Sequence, residues 1–255
     1  MQKILLKRYF LKLSYDGANY SGWQIQPEVT TVQGTLEAAL KILVKDFRSL
    51  IGCGRTDTGV HASEYYAHFD TELPLHPQFL YKLNAILPLD IAVHSVSEVE
   101  GSLHARFSAT YREYKYFMHF NKNPFRNAYS VYCVKPLDLG RMNQAAGFIL
   151  GEHDFTSFSK SQTQVKTNIC NVKTAHWEPI DDGVVFTIGA NRFLRNMVRA
   201  LVGTFIPIGE KEVEPNHLEK VLNEKDRTVA GKSAHPQGLF LTKINYPKFN
   251  GAGNR

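Results

Sequence analysis

At the start of the chain, hydrophobic and polar positions alternate with a period of two. Tyr9, Leu11, Leu13 and Tyr15 are interleaved with Phe10, Lys12 and Ser14, which predicts a strand. Asp16-Gly17 ends it, and a loop runs through Gly22-Trp23-Gln24 to Pro27. The period then changes. Val32, Leu36, Ala39, Leu40 and Leu43 fall on one helical face behind Thr30 or Thr31 as the cap. A short strand at Ser49 to Cys53, a strand from Ala62 to Phe69, a helix from Pro77 through Leu87 and a strand from Ile91 to Val99 complete the first half. The order strand, helix, strand, strand, helix, strand is that of a ferredoxin-like split βαβ unit.

The second half reads as a variation on this plan. Thr110 to Phe120 alternates strongly, with Tyr114, Tyr116, Met118 and Phe120 on one face, and Tyr129 to Val134 is a partner strand. Asp138 caps a helix to Leu150. Thr167 to Trp177 and Val184 to Ala190 form a strand pair around Asp181-Asp182-Gly183. A helix from Phe193 to Phe205, a short one after Pro215 and a strand from Leu239 to Asn245 follow. No linker rich in Pro, Gly or Ser separates the halves. The expectation is an α+β fold: two ferredoxin-like (RRM-like) α/β halves, 1–105 and 106–248, sharing a mainly antiparallel central sheet flanked by helices. The polar, Gly-rich tail 249–255, with Lys248 before it, is expected to fray.

Composition narrows the function classes. The 255 residues are 43% hydrophobic, enough for a sizeable core. The formal charge of +6 suits a polyanionic partner, although charge alone is weak evidence. Cys53, Cys133 and Cys170 are odd in number and far apart, which suggests no disulfide framework and a reducing cytoplasm. The apolar run Ile4-Leu5-Leu6 is too short for a secretory signal, and no stretch approaches a membrane span.

The chemistry concentrates in Gly52-Cys53-Gly54-Arg55-Thr56-Asp57-Thr58-Gly59-Val60-His61-Ala62, between two strands. Its glycines permit positive φ and close approach of a ligand. A rigid loop presenting one carboxylate suits a nucleophilic or general-base Asp. Local physics alone favours a blander reading, a tight turn whose Asp caps its own backbone.

Residues Gly54-Arg55-Thr56-Asp57-x-Gly59-Val60-His61 resemble the signature of the TruA family of tRNA pseudouridine synthases. The likeness extends over nearly the whole chain: Tyr15-Asp16-Gly17 with Gly22-Trp23-Gln24, His104-Ala105-Arg106-Phe107-Ser108-Ala109, Arg112 to Tyr116, Gly151 to Phe158, Phe193 to Arg199, and Gly238-Leu239-x-Leu241. Thr58 departs from the Ala of many members but touches no catalytic atom. The resemblance implies the pseudouridine synthase fold and the isomerisation of uridine to pseudouridine at positions 38, 39 and 40 of the tRNA anticodon stem-loop. It also implies a homodimer that needs no cofactor or metal.

The same resemblance makes Asp57 the nucleophile and places Arg199 as its partner. A buried carboxylate tends to take up a proton, and a nearby guanidinium opposes this. Tyr114 is expected to hold the uracil by its ring face, while Tyr116 reads as core. Arg55 is expected to fill the space left by a flipped nucleotide and contact phosphate. Lys160, Lys166, Arg192 and Arg195 are candidates for the RNA backbone, each more simply a solvated charge. His61 reads as a hydrogen-bonding residue of the loop; Trp23 is open between core and RNA contact. His61, His68, His104 and His153 show no metal-ligand spacing. Two other readings stay in view. Asp57-Thr58-Gly59 is the aspartic-protease tripeptide, present once here, so that a dimer would have to supply the second. A non-catalytic RNA-binding module is the other.

Overall fold

The computed structural model describes residues 6–160, 166–247 and 249. Ile4 and Leu5 of the early apolar run, and all of the tail 249–255 except Phe249, lie outside the described residues. The strands are β1 (Lys7–Tyr15), β2 (Ile51–Gly52), β3 (His61–Thr71), β4 (Ile91–Val99), β5 (Tyr111–His119), β6 (Val131–Tyr132), β7 (Gly151–Asp154), β8 (Ile169–Ile180), β9 (Gly183–Ala190) and β10 (Leu239–Asn245). The helices are α1 (Val32–Leu43), α2 (Phe79–Ile86), α3 (Leu139–Gly147), α4 (Met197–Gly209) and α5 (His217–Glu224). Pairing among the described strands is mostly antiparallel, in agreement with the mixed α/β expectation. The chain divides into two compact units, Met1–Thr110 with Leu241–Arg255, and Tyr111–Phe240.

In the first unit β4 and β3 flank β1, all antiparallel, and the short β2 pairs with β3. This is the strand order of a ferredoxin-like unit. Leu11, Leu13 and Tyr15 of β1 are buried and alternate with half-exposed Lys12 and Ser14, as a strand with one covered face requires. Phe10 breaks that alternation and is only 1% exposed. The C-terminal segment accounts for this: Tyr246 and Phe249 set their rings edge-on against Phe10, and Phe249 also meets Tyr66. Phe249, within the tail expected to fray, thus has ring contacts on two strands of this unit. Helix α1 starts where its cap predicts: Thr31 Oγ1 accepts from the Gly34 N–H at 3.2 Å. Its apolar face buries Val32, Leu36, Ala39 and Leu40.

In the second unit β9 lies between β5 and β8, and β7 pairs with the far side of β8. No helix intervenes between β8 and β9. A tight turn at Asp181-Asp182, with Asp182 at φ 55°, joins them and forces them to be antiparallel neighbours. All eight residues of β9 are buried. Trp177 stacks on Phe186 at 4.7 Å and meets Phe205 of α4 edge-on. Asp138 caps α3 through Arg141 N–H. The helix expected from Phe193 begins at Met197 instead, because Asn196 takes a left-handed φ of 68°.

Candidate active site

The Asp57 loop joins β2 to β3 and is held against the segment after β1. Trp23 N–H donates to Thr56 O at 3.2 Å, Gly59 N–H donates to Tyr20 O at 3.2 Å, and Gly17 N–H donates to His61 Nδ1 at 3.1 Å. Buried Tyr15 and Thr56 share a hydroxyl hydrogen bond of 2.8 Å. Two glycines make this approach possible. A Cβ on Gly17 would stand 2.0 Å from Val60 O, and one on Gly22, at φ 84°, would stand 2.5 Å from Thr56 O. The sequence blocks Tyr15-Asp16-Gly17 and Gly22-Trp23-Gln24 are thus the cradle of the Arg-Thr-Asp block. That juxtaposition lay beyond reading one sequence position after another.

Aromatic side chains form the floor of the loop. Trp23 is 3% exposed and stacks on Tyr65 at 4.1 Å, which settles Trp23 as core. Tyr65 OH donates to Gly54 O at 2.5 Å. A Cβ on Gly52 would fall 2.2 Å from that hydroxyl. Sequence reading missed Tyr65; its signal was a tyrosine on the strand that follows the loop. His61 is buried; its Nδ1, which accepts the Gly17 amide, also lies 2.9 Å from Asp16 Oδ1, and it serves the loop as expected. Asp57 O accepts from Val60 N–H at 3.1 Å across a turn with Gly59 at φ 74°. Arg55 is exposed, Thr56 buried and Asp57 half-buried. The loop therefore presents a carboxylate from a backbone fixed on both sides, the preorganisation a nucleophile needs.

In the second unit, Tyr114 of β5 pairs with Ile188 of β9 and is half-buried, its ring edge-on to Phe193 at 5.1 Å. Tyr116 is 1% exposed and donates to His235 O at 2.9 Å, as a core residue. Burial pushes its hydroxyl pKa upward.

Arg199 is half-buried on α4 between buried Val198 and Ala200. Its Nε donates to Ala234 O at 2.7 Å, and Ala234 N–H donates back to Arg199 O at 2.9 Å. The loop carrying Ala234 is itself pinned to α4. Gly231 N–H donates to Thr204 Oγ1, and Asn196 Nδ2 to Ser233 Oγ. Pro207 cannot donate to the Gly203 carbonyl, and Gly231 lies close against that carbonyl. Ala234 escaped sequence reading because a loop carbonyl carries no residue-type signal, and Ser233 because its side-chain partner Asn196 is distant in sequence. Arg195, expected on the same helix one turn away, lies before the helix and is exposed; the left-handed Asn196 separates them. Lys160 and Lys166 are exposed, and Arg192 donates to Thr167 O.

A family model described as tRNA pseudouridine synthase matches residues 145–247. The chain is 47% identical over 247 residues to tRNA pseudouridine synthase A of Bacteroides thetaiotaomicron, covering 95% of this chain and 92% of that one. It is 46% identical to the protein of the same description from Bacteroides fragilis, over 95% of this chain and 98% of the relative. With that of Brevibacillus brevis the identity is 40%, over 94% of this chain and all of the relative.

Proposed function

Because the chain belongs to the family of tRNA pseudouridine synthases, we propose that it isomerises uridines 38, 39 and 40 of the tRNA anticodon stem-loop, with Asp57 as nucleophile. The enzyme is an isomerase acting on uridine in tRNA. In this reaction the N-glycosidic bond breaks, the uracil turns within the pocket, and its C5 bonds to the ribose C1′ while the C5 proton leaves and N1 gains one. Atoms and electrons balance without a redox partner or a cofactor.

The observation that carries the role of Asp57 is the clamped loop. A half-buried carboxylate stands on a backbone fixed by Trp23, Gly59 and Tyr15 hydrogen bonds, so little ordering is left to complete at the moment of reaction. Arg199, held by Ala234, is proposed to keep that carboxylate ionised. Tyr114 is proposed to hold the freed uracil by its ring, and exposed Arg55 to occupy the space vacated by the flipped nucleotide. The protein is proposed to work in the cytoplasm as a homodimer. Among the described residues no helix is long and apolar enough to cross a membrane.

The test is pseudouridine mapping in anticodon stem-loops with wild type and Asp57→Asn. This swap keeps shape and removes the charge. The variant should fold, bind tRNA about as well as wild type and form no pseudouridine above background. A well-folded Asp57→Asn enzyme that still modifies tRNA would remove Asp57 from the chemistry. A peptidase would fail only on peptides, and a binding module would show no change at all.

A further inference from the structure

The segment His104-Ala105-Arg106-Phe107-Ser108 has no role in the chemistry above, yet its backbone is fixed at every amide. His104 N–H donates to Ser108 Oγ at 2.9 Å, and Ser108 N–H returns to His104 O at 3.0 Å. Ala105 N–H donates to His68 Nδ1 at 3.1 Å. The Arg106 and Phe107 N–H groups both donate to His104 Nδ1, at 3.1 and 3.2 Å. Ala105, fully buried, plugs the turn into the first unit, and its carbonyl accepts from Tyr246 OH at 2.7 Å.

What this scaffold displays is a phenyl ring. Phe107 is 76% exposed. Single exposed apolar residues are common and need no explanation. This one differs in being braced: the His104 ring lies 4.4 Å from it at 31°, and the Arg106 guanidinium lies 5.5 Å from its centroid. The guanidinium lies over the ring, yet at that exposure most of the ring surface stays open. A rigid aromatic ring with a cation beside it matches a nucleobase with its adjoining phosphate. Base stacking on such a ring adds affinity without selecting sequence. An aliphatic protein partner would have no use for the cation, and the chain's +6 charge favours a polyanion.

We infer that Phe107 is a stacking contact for an unpaired base of the tRNA, with Arg106 beside it on the adjacent backbone. This rests on the tRNA reading above. The experiment compares wild type, Phe107→Leu and Phe107→Trp for affinity to an in vitro transcribed tRNA and to a fully paired RNA hairpin stem. Thermal melting checks that each variant folds. Phe107→Leu keeps apolar bulk without a π face, so it should bind tRNA on the order of tenfold more weakly. Its affinity for the paired stem should not change, and Phe107→Trp should keep wild-type affinity for tRNA. Wild-type tRNA affinity in Phe107→Leu, or an equal loss on the paired stem, would overturn the proposal. Failure of wild type to form pseudouridine would instead overturn the enzymatic reading, and the binding comparison would still decide this one.

Discussion

Arg199 illustrates how a charged residue is made useful on an apolar helix. Placing it among Val198, Ala200 and Leu201 costs desolvation unless its donors are met. The bond from Nε to Ala234 O at 2.7 Å meets one and sets the plane of the guanidinium. The proposed task is electrostatic, whereas most tRNA affinity comes from phosphate contacts spread over the surface. Arg199→Met should therefore lower the single-turnover rate by at least about a hundredfold, roughly the worth of one electrostatic stabiliser. It should change tRNA affinity by less than about tenfold, a smaller loss than that in rate. Near-normal turnover in a folded variant would exclude Arg199 from the mechanism. Met is chosen because it keeps an unbranched apolar stem and removes the charge.

Strand β3 carries the Asp57 loop at one end and supports the Phe107 turn near the other. There His68 is buried under Phe10 and accepts the Ala105 amide through Nδ1. That bond requires a neutral ring. Burial first, then the nearby Arg8 and His104 charges, lower the His68 pKa to about 4, with Asp70 opposing. His104 is lowered as well, chiefly by burial. With the folded pKa below the ordinary 6.5, the unfolded chain binds the proton first. The stability due to His68 is complete above pH 6.5 and is lost as pH falls toward 4. Its full extent is about 3 kcal/mol. Urea unfolding at pH 7 and pH 4.5 should show this loss in wild type, and His68→Gln should shrink the difference between the two pH values. An equal pH dependence in both proteins would show that His68 does not titrate as described.

For the molecule as a whole, the excess of 30 Lys and Arg over 24 Asp and Glu favours an RNA partner. Phosphate neutralisation releases counterions, so tRNA affinity should fall steeply with salt, about tenfold or more between 50 and 200 mM. A salt-insensitive Kd would mean that surface cations such as Lys160, Lys166 and Arg195 are only solvated charges. Sedimentation at assay concentration should give a dimer. A fully active monomer would refute the proposed assembly.

Periodicity made most elements legible. β4 and β10 have the predicted bounds, and α1 starts after Thr31 as its cap required, because capping and alternation are local physics. The Asp57 loop was legible by its resemblance to a family, since its residue types are constrained by chemistry at one point. The cradle under that loop was not legible. Gly17, Gly22, Tyr65 and Trp23 each have an ordinary local meaning, and only packing reveals that a Cβ or a smaller ring would displace the loop. The same holds for Ala234, whose part is a backbone carbonyl, and for Asn196, whose left-handed φ moved the start of α4. Phe249 repeats the lesson: its neighbours are polar, and the ring it meets belongs to Phe10, far away in sequence. Sequence by itself determined periods and caps, because these depend on near neighbours, and it singled out the Asp57 loop through its family resemblance. Tertiary structure alone decided which distant backbones touch, because close approach is a property of pairs that no single segment contains.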